Sequence, residues 1–303
     1  MHFIFYFILY IEIFKIGKKF FSKKYWKYAI LFNLPLIPHY LTSIVLNQCD
    51  RIMIDKMIGT ASAGIYGFAY SIGIIAIFIV DSISHSYTPW MYKNIKNNNV
   101  VDIKKYTNII GMFIALGCLV IIFVTPEIVK ILGTSDYYDS IWIIPPIAIS
   151  IYFRFLYGIY SNIEFYFEKK YFISVASIII ALINIITNYY FIKNYGYIAA
   201  AYTTLFCFIL YSISHAIFSI IICKKEIGKG VFNYLILFLI GLILIIVGGL
   251  IMLLYNYWYI RYSILITVFL ILLLKHKDII SIYNKIKEQE IKNEEENKVK
   301  NEN

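Results

Sequence analysis

The sequence predicts an all-α, polytopic transmembrane helix bundle of about eight full spans preceded by a partial span at the N-terminus. Three observations carry this. Hydrophobic residues make up 60% of the chain against 15% charged, with a mean hydropathy of +0.72, whereas an ordinary soluble domain is about half apolar and about a quarter charged. Apolar windows long enough to span a bilayer recur with short polar breaks between them, more than one globular core can enclose. The basic residues also divide unevenly between alternate breaks, as in proteins inserted with their positive loops inside.

The elements follow in order. The first apolar run, 1–14, lacks the basic start and small-residue cleavage site of a signal peptide and reads as the end of a span. With the basic linker after it, it forms a unit over 1–28. Full spans are predicted at 29–48, 63–88, 106–125, 141–163, 171–192 and 198–222, a six-helix lobe over 29–222. Two additional spans, 232–255 and 262–274, fall in 223–274. The tail, 275–303, opens as a mildly amphipathic stretch, IISIYNKIKEQEIK, and ends as NEEENKVKNEN, too polar to bury a core. One set of alternate loops, with the tail, holds 22 of the basic residues; the opposite set holds five, and Arg154 falls inside a span. This places the basic side and the C-terminus in the cytoplasm. The opposite loops are short, so any chemistry lies within the helices.

The composition excludes several classes. The net charge of +10 arises from short lysine clusters between apolar runs rather than from one basic face, which reads as topology and not as nucleic-acid binding. Cys49, Cys118, Cys207 and Cys223 are isolated, without metal-ligand or disulfide spacing. No phosphate loop, zinc-protease motif, nucleophile elbow or catalytic carboxylate pair is present, so the expectation is a non-enzyme without cofactor or metal.

Five of the spans carry one polar stripe each. Asn33, Tyr40, Ser43, Asn47 and Asp50 step at helical spacing, interrupted by Pro35 and Pro38, which predict a kink with freed carbonyls. Ser71, Asp81, His85 and Thr88 follow, with Asp81 and His85 four apart and able to meet. Ser150, Arg154, Tyr157, Ser161 and Glu164 share a face, as do Ser174, Ser177, Asn184 and Asn188, and then Thr204, Tyr211 and His215. A charge at mid-bilayer costs about 2.5–3.5 kcal/mol on insertion scales, so Arg154 and Asp81 require partners or water. A hydrated cavity between the stripes would supply both; hydrogen bonds between packed helices would account for the Ser and Asn positions equally well. Asp50 and Arg51 sit at an external helix end, where a neutralising pair at the interface is one reading. His39 and His215 stand alone and read as packing residues. Two segments, MIGTASAGIYGFAYSIG and KNYGYIAAAYTTLFCF, resemble each other weakly, as a duplicated unit or as two similarly packed helix starts.

The run LPLIPHYLTSIVLNQCDRIMIDKMIGTASAGIYGFAYSIG, with SYTPWMY, TPEIVKILG and NYYFIKNYGYIAAAYTT, resembles the second half of the polysaccharide or O-antigen flippases within the multidrug, oligosaccharidyl-lipid and polysaccharide exporter superfamily. Such proteins move undecaprenyl-pyrophosphate-linked oligosaccharide repeats across the membrane by means of two six-helix lobes around a cationic cavity. The resemblance implies that residues 1–14 end a sixth span, that 29–222 form the C-terminal lobe, and that the chain is N-terminally truncated relative to that plan. It implies a lipid-linked oligosaccharide and membrane lipid as partners, with polysaccharide-assembly proteins or a first lobe as further ones. Arg154 and Arg51 become candidate pyrophosphate contacts, and Asn33, Asn47, Tyr157, Asn184 and Asn188 candidate cavity residues. Asp81, His85 and Asp50 become candidates for a coupling proton or sodium ion. A drug or toxin exporter, a non-transporting remnant and, less well matched to the short external loops, a sugar-repeat polymerase are the alternatives.

Overall fold

The computed structural model describes residues 2–17, 21–264 and 267. Among them the helices are α1 (His2–Gly17), α2 (Lys23–Asn33), α3 (Ile37–Met57), α4 (Thr60–Lys96), α5 (Val100–Leu132), α6 (Ile144–Tyr166), α7 (Lys170–Tyr195), α8 (Ala199–Glu226) and α9 (Tyr234–Leu253), and no strand occurs. The all-α polytopic class is therefore as predicted. Six described segments are long and apolar enough to cross a membrane: Lys23–Met57, Thr60–Lys96, Val100–Leu132, Tyr171–Tyr195, Ala199–Glu226 and Tyr234–Leu253. The bent pair Ser135–Trp142 with Ile144–Tyr166, turned by 44°, makes a seventh if it counts as one span. Each predicted span from 29–48 to 232–255 falls on one of these segments. The predicted span 262–274 lies outside the described residues except for 262–264 and 267, and the tail lies wholly outside them.

The chain falls into two compact units, 1–248 and 249–303. In the second, the Arg261 guanidinium lies 5.7 Å from the Tyr255 ring centre and 5.8 Å from that of Tyr262. The rest of the description concerns the first unit.

Prolines set the breaks. Pro35 falls in a 3₁₀ turn, Leu34–Leu36, between α2 and α3, and Pro38 lies in the first turn of α3. Proline lacks an N–H and is tolerated where the helix has none to use. The predicted kink is thus present, and a freed carbonyl finds a partner: the Ser174 hydroxyl of α7 donates to the Pro35 carbonyl. Burial corrects the expected single face from Asn33 to Asp50. Asn33, before the 3₁₀ turn, is exposed; within α3 Tyr40 is exposed, Asn47 half-buried and Asp50 buried, so burial grows along the stripe. Elsewhere Asn98 (φ 62°) and Glu168 (φ 56°) supply the left-handed residue that closes α4 and α6, and Gly196 (φ 82°) turns α7 into α8.

Packing is inverted relative to a soluble protein. On α7, Ser174, Ser177, Asn184 and Asn188 are buried while Ile178, Ile179, Leu182 and Ile186 are exposed. That arrangement is stable only where the surroundings are apolar. At the centre stands α6, buried along most of its length, packed most extensively on α8 and also on α4 and α5. Helix α7 joins α3 to α8. Small residues bring α9 close: a Cβ added at Gly241 would stand 2.9 Å from Tyr152 and Phe153, and the Tyr152 hydroxyl donates to the Leu237 carbonyl at 2.7 Å.

Candidate functional site

The polar stripes of α3, α4, α6, α7 and α8 meet in a line of side-chain clusters along the bundle. At the end opposite the basic loops is Asp50, 1% exposed. Its carboxylate accepts from the Tyr66 hydroxyl of α4 at 2.6 Å, the Thr204 hydroxyl of α8 at 2.7 Å and the Asn188 amide of α7 at 2.6 Å. Asn188 also donates to the Asn184 Oδ1 at 3.3 Å and accepts from the Thr203 hydroxyl. Asp50 is therefore the hub of four helices, not one half of an interfacial Asp50–Arg51 pair. A buried carboxylate is tolerable when such donors replace water. The two segments of weak mutual resemblance both contribute here, Tyr66 from the first and Thr204 from the second.

One turn along α3, Asn47 accepts from the Tyr70 hydroxyl at 2.6 Å. The Arg51 guanidinium packs 5.2 Å from the Tyr70 ring centre, leaving its Nε without a hydrogen-bond partner.

Midway along α6, Arg154 pairs with Asp81 of α4 at 3.3 Å. Both face a cavity of about 220 Å³ lined also by His39, His85, Tyr157 and Asn162. The expected partner for mid-bilayer Arg154 is thus Asp81. No hydrogen bond joins Asp81 to His85 among the described residues, although both border the same space. The Asp81 side chain keeps 40% exposure and that of Arg154 20%, so the pair stays open to a third charged group. Asn33, by contrast, donates to the Ala29 carbonyl of its own helix at 2.9 Å and lies apart from this cavity.

Behind the cavity wall, Tyr157 stacks on Tyr211 at 4.4 Å. The Tyr211 hydroxyl and Ser177 Oγ are 2.6 Å apart, and each bonds the Nδ1 of His39, at 3.0 and 2.9 Å. Deeper still, His215 Nδ1 meets Glu164 Oε1 at 2.7 Å, both side chains fully buried. His39 and His215 are therefore parts of networks rather than solitary packing residues. The missed partners were Tyr66, Tyr70 and Thr203 and the pairing of Glu164 with His215. Glu164 and His215 each closed a predicted stripe, yet helical spacing carries no information on which stripes face each other.

Residues 1–95 match the polysaccharide biosynthesis protein family. A Haemophilus influenzae protein named for the Lsg locus is 26% identical over 164 residues, which cover 52% of this chain and 39% of that protein. The chain thus spans well under half the length of the curated relative it matches. No solved structure matches. Both findings support the resemblance read in the sequence, that to a polysaccharide flippase-type family. The apolar helices are those of a multi-pass membrane protein, and the chain's similarity is to polysaccharide-biosynthesis proteins.

Proposed function

We propose that the chain forms the C-terminal lobe of a flippase that carries undecaprenyl-pyrophosphate-linked oligosaccharide repeats across the inner membrane for surface-polysaccharide export. The observation that carries the reading is the Arg154–Asp81 pair at the middle of α6, open to a polar cavity. A guanidinium fork suits phosphate oxygens. An incoming pyrophosphate exchanges with Asp81 for Arg154, so the head group meets a cation where the membrane is least hospitable, while the prenyl chain stays in lipid. Tyr157 offers a ring face to sugar. No covalent chemistry is required, and the protein acts as a transporter rather than an enzyme. The basic loop ends lie in the cytoplasm, with a first lobe and polysaccharide-assembly proteins as partners. A sodium ion or proton couples the cycle, with the Asp50 cluster and the Asp81–His85 wall as the groups available for it.

The test is translocation of a fluorescent polyprenyl-pyrophosphate oligosaccharide in vesicles holding the complete transporter. Arg154→Ala is expected to lower the rate at least tenfold and Arg154→Lys by less, since lysine keeps the charge but not the fork. An unchanged rate for Arg154→Ala overturns the reading. In a drug exporter, Asp81 would hold a cationic substrate, and Asp81→Asn would abolish transport while Arg154→Ala spared it.

A further inference from the structure

Two acids in the bundle are fully enclosed, and the transport reading uses only one of them. Glu164 and His215 hold each other by one contact, Oε1 to Nδ1 at 2.7 Å. The two remaining polar atoms, Glu164 Oε2 and His215 Nε2, are buried without a hydrogen-bond partner. Leaving such groups unpaired is costly, and an apolar pair of equal volume would pack there without that cost. The site is therefore poor as a structural device. It has what a proton store needs: a carboxylate and an imidazole in contact, which titrate as one unit, and an unpaired carboxylate oxygen, Glu164 Oε2, on which a further proton can land.

The surroundings connect it to the cavity. From its own helix α6, Tyr157 lies with its ring centre 5.8 Å from that of His215; from α8, Tyr211 lies edge-on at 4.7 Å. From α3 comes His39, which bonds Tyr211 and Ser177 of α7 and lines the cavity beside Arg154. Beyond the end of α6, the Lys169–Glu226 ion pair at 3.0 Å joins the ends of the same two helices. Thus two phenols and one imidazole surround the pair, and the Lys169 ammonium and Glu226 carboxylate, bound to each other, stand at the helix ends.

We propose that Glu164–His215 is a proton-binding site, loaded from the cavity past His39, Tyr211 and Ser177. With one proton the pair is neutral overall; a second proton, taken from cavity water, gives it a single positive charge and no bond is otherwise made or broken. The use of that proton to drive a flippase rests on the transport reading above, whereas the binding does not.

The experiment separates the two. The full chain in phosphatidylethanolamine and phosphatidylglycerol vesicles is taken between neutral and acidic pH while infrared difference spectra are recorded, the proton being the probe. The wild type is expected to gain a carboxylic-acid carbonyl band that Glu164→Gln loses, His215→Gln shifts and Asp81→Asn retains. A band unchanged in Glu164→Gln overturns the proposal; if that variant does not fold, an unshifted band in His215→Gln does so. A band that behaves as expected, together with unchanged translocation in Arg154→Ala, leaves the proton site standing and removes the flippase.

Discussion

Asp50 and Glu164 are buried carboxylates in one bundle, held in opposite ways. Asp50 receives three donors from three helices, so its charge is spread over partners that need it as much as it needs them. Glu164 touches one imidazole and leaves an oxygen bare. Satisfaction on that scale serves stability, whereas an incomplete shell favours a group that takes up a further proton.

Deleting the hub gives the largest expected effect. Asp50→Ala strands the Tyr66, Asn188 and Thr204 donors, each at about 1–3 kcal/mol, so a loss of about 3 kcal/mol or more is expected, read as the unfolding free energy in mixed micelles. Next comes the opposite result at the other acid. Glu164→Leu combined with His215→Phe is expected to leave stability within about 1 kcal/mol of wild type or above it, since replacing a buried ionic pair by apolar groups is often neutral or stabilising. A loss as large as that of Asp50→Ala would erase the comparison. Thr204→Val removes one of three donors and is expected to cost about 0.6 kcal/mol, the average for hydrogen bonds between membrane helices, and no more than about 1.7 kcal/mol, again by unfolding in micelles.

The smallest effect lies outside the membrane, at Tyr197, whose hydroxyl donates to Asp139 at 2.8 Å. Burial first, and then the Asp139 hydrogen bond and charge, push the Tyr197 hydroxyl from its ordinary 10.0 up to about 12. Because the folded value is the higher one, its contribution is complete below pH 10.0 and is lost as pH rises through about 12. Tyr197→Phe should therefore lower the melting temperature slightly below pH 10.0, where the contribution is complete, and flatten the alkaline limb of the profile.

Much of this was legible in the sequence. Hydropathy located the helices because the bilayer imposes length and apolarity on each one separately. The stripes on α6, α7 and α8 located buried polar residues because three to four residues per turn is a property of one helix. Two things were not legible. The break at Leu34–Leu36 depends on local backbone geometry around two prolines, and Asn33 lies before it, apart from the cavity. Pairings such as Glu164 with His215, or Asp50 with Tyr66, depend on how helices rotate against each other. Small residues such as Gly241 fix that rotation, and a single sequence gives their presence but not their partner.

The break between α2 and α3 bears on how the bundle can yield. Pro35 and Pro38 have already removed the ladder bonds that would resist bending there, and across the break the Ser174 hydroxyl of α7 donates to the Pro35 carbonyl. Between membrane helices such a hydrogen bond averages about 0.6 kcal/mol, which is the scale of thermal energy at room temperature. The missing ladder bonds thus fall just before Ile37, and His39, which walls the cavity, sits on the first turn beyond them.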